Sequence, residues 1–461
     1  MAATRFPPEA IRDDFVPRED YFDPEFARCE AENLWPKVWQ MACRLEEIPA
    51  VGDFVTYEIL TDSIIVVRTG ENEVQAFHNS CPHRGTQLTM GHGHVARFVC
   101  PFHGWSFALD GECLDIVDEG DWGGRLCKAD AHLAPVKVGT WGGWAWINMD
   151  PDCQPLMDFL EPMASRLAPF ELEKLRYAWR RTTVVPANWK TVVEAFNEFY
   201  HVQTTHSQML VYTLDYSTSQ ELGRHSTISY ATSAGMPIGR SPRLPPKDEP
   251  DFRNYIFEYA RQFKHDLKAM QTERAYQAAQ RLRTELAADA APEEVLARWA
   301  GMIYEAAMEA GAGWPEALTP EAMADAGFDV HIFPNFVLLP PAVEAMLGYR
   351  MRPNGEDPES CILDIWSLER FPPGQAPVVK REFVGDLRDD SWPLILRQDF
   401  QNLPRVQRGM RSRAFKGART NPLQERAIVN FHRALRRFME DPHADDALGP
   451  ALAKKVEQSA S

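Results

Sequence analysis

The sequence predicts an α+β chain in which a small antiparallel β domain precedes a larger domain made of a twisted antiparallel sheet and surrounding helices. Two observations carry this. Residues 36–150 hold short β-prone runs punctuated by Gly, Asp and Pro, among them "DFVTYEIL", "SIIVVRT", "EVQAFHN", "ARFVC", "WSFAL" and "WGGWAWINM", the texture of strands joined by tight turns. After Pro155 the elements lengthen and the apolar spacing turns helical in "DFLEPMASRLAPF" and "NWKTVVEAFNEFYHVQ", with "AWRRTTVV" between them as a strand.

Taken in chain order, residues 1–35 form an N-terminal segment expected to pack on the second domain. The β domain covers 36–150, and the second domain covers 151–440 with a helical insert at 250–312. In the insert, Ile256, Ala260, Phe263, Leu267 and Met270 make one apolar stripe and Val295, Trp299, Met302 and Ala306 another, which predicts a helical hairpin. Strands are expected at "DVHIFPNFVLLP", "GYRMRP" and "CILDIWSLERF", then a terminal amphipathic helix in "NPLQERAIVNFHRALRRFMED" and a flexible tail at 441–461.

The 461 residues carry a formal net charge of −17 and are 44% hydrophobic. An acidic surface disfavours nucleic acid as the main partner. No apolar run approaches the length of a spanning helix and no signal-peptide pattern opens the chain, so a soluble cytoplasmic protein is expected. Eight cysteines in such a chain are too few for a disulfide scaffold. Six of them (Cys29, Cys43, Cys113, Cys127, Cys153, Cys361) lack a ligand-spaced partner and read as small buried hydrophobes.

The other two belong to paired loops. "SCPHRGTQL" places Cys81 and His83 two apart, and "VCPFHGWSF" places Cys100 and His103 three apart, with 16 residues between the pairs. Two thiolates and two imidazoles on facing loops can enclose one metal centre. Zinc would take all four as one tetrahedral set; a [2Fe-2S] cluster would take the thiolates on one iron and the imidazoles on the other. Pro82, Pro101, Gly85 and Gly104 are not needed for zinc. "CPHRG" with "CPFHGW" resembles the Rieske cluster motif, in which Pro and Gly shape tight loops whose N–H groups can bond the sulfurs.

About 300 residues follow, and within them "NWKTVVEAFNEFYHVQTTHSQ" sets Glu198, His201 and His206 as E-x2-H-x4-H. This resembles the mononuclear iron motif of the Rieske non-haem iron oxygenases, the aromatic-ring-hydroxylating dioxygenase family, with the resemblance spanning residues 30–430. Two imidazoles and a carboxylate leave open positions on Fe(II). Residues 201 and 206 would lie about 140° apart on an ideal helix, so the helix is expected to end or bulge between them. The third ligand is expected at Asp399, an acid in the apolar helical stripe of Trp392, Ile395, Leu403 and Val406.

The resemblance implies an all-β Rieske domain, a helix-grip (START-like) catalytic domain, and the oxygenase component of a multicomponent enzyme. That enzyme would use O2 and NAD(P)H-derived electrons from a separate reductase or ferredoxin, with a [2Fe-2S] cluster and mononuclear Fe(II) as cofactors. It further implies a homotrimer, α3 or α3β3, in which Glu198 bridges His201 to His103 of the next subunit. The family usually has Asp at that position; Glu198, in a motif one residue shorter than in the naphthalene-dioxygenase type, resembles the choline- and carnitine-type monooxygenases. The reaction is therefore either hydroxylation or dihydroxylation of an aromatic or related hydrophobic substrate, or oxidative O- or N-dealkylation, including of quaternary amines. Phe196, Phe199, Phe333 and Phe336 are candidate pocket residues. The basic run "RVQRGMRSRAFKGAR", 405–419, is a candidate docking strip for an acidic partner.

Overall fold

The computed structural model describes residues 5–230, 236–245, 251–342 and 344–443. The flexible-tail expectation falls almost wholly on 444–461, outside the described residues. Two antiparallel sheets dominate. The first has seven strands in the order Gln40–Arg44, Trp144–Asn148, Pro135–Trp141, Glu73–His78, Asp62–Gly70, Asp53–Ile59, His92–His94, and beside it lies a three-stranded sheet of Phe98–Val99, Ser106–Phe107 and Cys113–Asp115. The second sheet has eight strands: Thr218–Leu222, His225–Ser229, Asp329–Ile332, Phe336–Ala342, Ala345–Asn354, Asp357–Glu369, Arg176–Val185 and Glu382–Phe383. Only its last pairing, Arg176–Val185 with Glu382–Phe383, is parallel.

Alternation along these strands decides which side chains reach the site. Asp329, Leu339 and Tyr349 point to one face of the large sheet and line a cavity there. Phe336 is paired with Arg350 and points to the other face, where its ring meets Trp144 and Trp146 at 5.2 and 5.5 Å. The same face carries the clamp between the sheets: Arg350 gives Nε and Nη2 to Asp364 and Nη1 to the carbonyls of Met41 and Ala42. All of these polar groups are buried and paired, which is the condition for burying charge at all.

The chain start is tied down as well. Val16–Pro17 pairs with Gly417–Ala418, Glu30 accepts from Lys190 Nζ at 2.6 Å, and Asp20 meets His432 and Arg436 on the terminal helix Arg426–Glu440. No helix among the described residues is long and apolar enough to cross a membrane.

Several sequence expectations need correction. The insert holds three helical segments, Phe252–Arg261 continuing through a π turn at Gln262–Leu267, then Glu273–Glu285 and Pro292–Glu309. The first stripe stops at Leu267 because Lys268 and Met270 adopt positive φ (56° and 65°), and Thr272 then starts a new helix by accepting from the Ala275 N–H. The segment at 158–170 is broken at Pro162 and Pro169 into short pieces, since proline withholds an N–H from the helix. Cys127 is exposed and donates to the Asp130 carboxylate, and Val406 is exposed as well.

Candidate metal centres

At the tip of the smaller β region the two predicted loops face one another. Each is closed by a matched pair of backbone bonds: Cys81 N to Thr86 O and Gly85 N to Cys81 O, both 2.8 Å; Cys100 N to Trp105 O at 2.7 Å and Gly104 N to Cys100 O at 3.0 Å. Gly85 and Gly104 sit at φ of 75° and 79°, where a side chain would be strained. The turns aim the N–H groups of His83 and Arg84 at the Cys81 sulfur, and those of His103 and Phe102 at the Cys100 sulfur. Burial pushes the Cys81 thiol up to about 11; for Cys100 burial also works upward, but the backbone donors and the Cys81 thiol bring it below its usual value.

The two imidazoles stand together, with ring centroids 4.6 Å apart, and His83 stacks on Trp105. His83 Nδ1 is buried without a hydrogen-bond partner among the described residues. Two buried sulfurs served by backbone donors, beside imidazoles with a ring nitrogen left over, fit an iron–sulfur cluster held two and two. Phe102, 59% exposed, packs on the His103 ring and makes the outer edge of this tip.

The second centre lies under the large sheet. The helix Trp189–Ala195, capped by Asn188, stops before the E-x2-H motif rather than running through it, and the short helix Val202–Thr205 lies between His201 and His206. The break has a local cause. Glu198 turns back on the chain, accepting the His201 backbone N–H at 3.0 Å and meeting His201 Nδ1 at 2.6 Å, so its carboxylate takes the place of a helical carbonyl. His206 and Asp399, the latter on Leu394–Met410, complete a group whose ligand atoms lie within 4.8 Å of one another.

The Nε2 atoms of His206 and His201 lie 2.9 and 3.6 Å from the same Asp399 Oδ1. Their other ring nitrogens are held from behind, His201 by Glu198 and His206 by Gln398 Oε1 at 2.9 Å. Burial opposes an imidazolium at His201, yet the charge of Glu198, and less strongly that of Asp399, holds it at about 9. A site that strongly favours positive charge, with two oriented imidazoles and one carboxylate on one side, fits a divalent iron with free positions. Gln398 escaped the sequence reading, although it directly precedes the carboxylate singled out there.

Two cavities share the wall formed by Glu198, His201 and Asp399. The inner one, about 60 Å³, is lined by Phe196, Phe199, Tyr230, Phe328 and Tyr349, and by Phe263 and Leu267 of the insert, which therefore caps it. Phe333 does not reach it and packs on Phe431 and Phe438; Phe336 is on the wrong face of its strand. The outer one is an open cleft of about 640 Å³, where Glu194, Glu198 and Glu425 meet Val406, Met410 and Phe415. Burial, helped by the Glu198 and Glu194 charges, raises Glu425 to about 7.

Paired Cys/His loops on the two smaller sheets and a His, His, Asp set beneath the large one define a class, the catalytic subunit of a Rieske non-haem iron oxygenase. Residues 38–121 match the Rieske [2Fe-2S] domain family, and residues 172–441 match the ring hydroxylating alpha subunit (catalytic domain) family. The chain belongs to the ring-hydroxylating alpha subunits, a family whose members carry a Rieske cluster and a mononuclear iron. Among curated proteins it is 34% identical to the glycine betaine monooxygenase oxygenase subunit of Pseudomonas aeruginosa (strain UCBPP-PA14) over 42% of this chain and 45% of that one. It is 35% identical to the carnitine monooxygenase oxygenase subunit of Escherichia coli (strain K12) over 41% of this chain and 52% of that one. The chain thus spans about half the length of the curated relatives it matches. Two solved structures share its fold: a quaternary ammonium Rieske monooxygenase with L-carnitine (TM-score 0.62, 19% identity, 95% and 99% of the two chains) and naphthalene 1,2-dioxygenase from Rhodococcus sp. (TM-score 0.61, 21%, 92% and 94%).

Proposed function

We propose that this protein is the oxygenase component of a Rieske system that oxidatively demethylates a small methylated ammonium compound. Cys81, His83, Cys100 and His103 hold the [2Fe-2S] cluster, and His201, His206 and Asp399 hold the mononuclear Fe(II). When bound, these groups supply one-electron transfer and activation of O2. The observation that carries the substrate class is the inner cavity: aromatic on most sides, adjacent to the His, His, Asp set, and about 60 Å³. Aromatic faces attract an ammonium ion strongly once water is excluded. Glycine betaine and carnitine monooxygenases among the relatives point the same way, as does Glu rather than Asp at 198.

The chain's own residues then divide the work. The aromatic rings place an N-methyl C–H toward the shared wall, and the insert's Phe263 and Leu267 keep bulk water out. Glu198 fixes His201 by accepting Nδ1–H, while Gln398 does the same for His206. Overall, one N-methyl, one O2, two electrons and two protons give an N-hydroxymethyl group and water. The C–N bond then breaks, the hydroxyl proton passes to nitrogen, and formaldehyde leaves. The electrons derive from NAD(P)H through a separate reductase.

The supply of electrons runs between copies in a head-to-tail homotrimer. The outer cleft ends at Glu198, and a neighbour's cluster tip, led by Phe102 and His103, is the matching apolar knob. Asp110, Glu112, Asp115, Asp118, Glu119 and Asp121 follow that tip without an intervening base, while the segment that lines the cleft through Val406, Met410 and Phe415 carries exposed Arg405, Arg408, Arg413, Lys416 and Arg419. These charges suit a subunit contact as well as an external acidic partner. Incubating the iron-loaded enzyme with reductase and a panel of methylated ammonium compounds, methoxylated aromatics and aromatic acids tests the reading. Formaldehyde from the ammonium compounds is expected, and a cis-dihydrodiol as the main product would replace it with ring hydroxylation.

A further inference from the structure

The inner cavity contains one carboxyl side chain that neither proposed centre uses. Asp329 begins the strand Asp329–Ile332, is 2% exposed and lines the cavity, and its Oδ1 has no hydrogen-bond partner among the described residues. Next to it stand the rings of Phe328, Phe199 and Tyr230, whose centroids are 5.5 to 5.8 Å apart. Among the described residues no Lys or Arg lines the cavity. Arg243, nearby in sequence to the wall residue Pro237, is taken by Asp215 at 2.6 Å. A buried carboxylate with no donor and no Lys or Arg beside it among the described residues is costly as an anion, and strand pairing with Ile228 fixes it facing inward.

We infer that Asp329 is the counter-ion for the substrate's ammonium group, and that the substrate is a methylated ammonium ion whose remaining arm is uncharged, an alcohol or short alkyl chain, rather than a betaine. This rests on the N-demethylating reading above. The rings supply cation–π attraction and the carboxylate supplies the opposite charge in a place that excludes water, where both are strongest. A betaine would bring a further carboxylate into a cavity already lined by Asp329, Glu198 and Asp399, where no Lys or Arg among the described residues meets it. That separates this protein from relatives named for glycine betaine and carnitine, whose substrates carry a carboxylate.

Titration calorimetry on the full iron-loaded protein tests the assignment with three probes. They are hydroxyethyl-trimethylammonium, its neutral isostere with carbon in place of nitrogen, and glycine betaine. The ammonium alcohol is expected to bind at least about tenfold more tightly than either of the others. In Asp329→Asn, an isosteric change, that preference should fall to within about twofold while the visible spectrum of the cluster is kept. Asp329→Ser serves as a second variant, and the wild-type comparison stands without any variant. Equal binding of the three probes by the wild type, or an undiminished preference in both variants, overturns the counter-ion. Formaldehyde release from the ammonium alcohol in that event leaves the demethylating reading intact, whereas no binding of any ammonium compound removes both.

Discussion

His206 Nε2 lies 2.9 Å from Asp399 Oδ1, and the residue before that aspartate, Gln398, holds the opposite nitrogen of the same imidazole at 2.9 Å. One turn of the helix Leu394–Met410 thus supplies both an oxygen of the proposed iron site and the group that aims a nitrogen toward it. The Gln398 carbonyl oxygen can only accept, so His206 carries its proton on Nδ1 and leaves Nε2 free to bind metal.

The first prediction follows from that division. Asp399→Ala should lower the iron content from about three to about two per chain while the Rieske absorption survives, because the cluster loops lie in a different sheet. Gln398→Leu keeps all three ligands and removes only the aim, so mononuclear iron affinity is expected to fall by roughly 10–100-fold. Iron quantitation across a chelator series separates the two. Loss of the cluster spectrum in Asp399→Ala would mean that the centres are not independent.

A second prediction concerns stability and pH. His432 is fully buried between Asp20, 2.7 Å from Nδ1, and Glu194, 2.6 Å from Nε2, with Arg436 also on Asp20 and Tyr21 packed against the ring. Burial works against the imidazolium, but the two carboxylates prevail and raise its pKa. A raised folded pKa means that the stabilisation is complete below the unfolded value near 6.5 and is lost as pH rises through the folded value. His432→Leu strips the carboxylates of their shared cation and should cost about 3–5 kcal/mol at pH 6. The gap to wild type in urea denaturation should narrow toward pH 9. A gap that widens with pH would contradict the charged state of His432.

Much of this site was legible in the sequence, because the chemistry needs side chains of fixed type at fixed spacing. Cys81, His83, Cys100 and His103 are brought together by turns that only Gly85 and Gly104 permit, and both features are local. Asp399 was legible as an acid in an apolar stripe. What was not legible depends on pairing between distant strands. Phe336 and Leu339 look equally apolar in sequence, yet strand alternation sends one to the tryptophans and the other to the cavity. Asp329 reads as an ordinary strand-start acid until the rings of residues 199 and 230 close around it. The helix through Glu198 was overextended because its carboxylate competes with the backbone for the His201 N–H, which periodicity does not register.

The last prediction tests the route of the electrons. Glu198 holds His201 with one face and borders the outer cleft with another. In Glu198→Gln the amide oxygen still accepts from His201, so both metal centres should load normally, while turnover falls by roughly 10–100-fold because the negative bridge is gone. Co-expressing two inactive chains locates the crossing. A Cys100→Ala chain lacks the cluster and a His206→Ala chain lacks the mononuclear iron, so neither works alone. If electrons pass within a chain, mixing them restores nothing. If they pass from each chain to its neighbour around a closed ring, random assembly puts an intact donor beside half of the intact acceptors, and turnover should return to about a quarter of wild type. Adding Glu198→Gln to the Cys100→Ala chain, which keeps the intact acceptor, should abolish most of that recovery, whereas adding it to the His206→Ala chain should leave it unchanged.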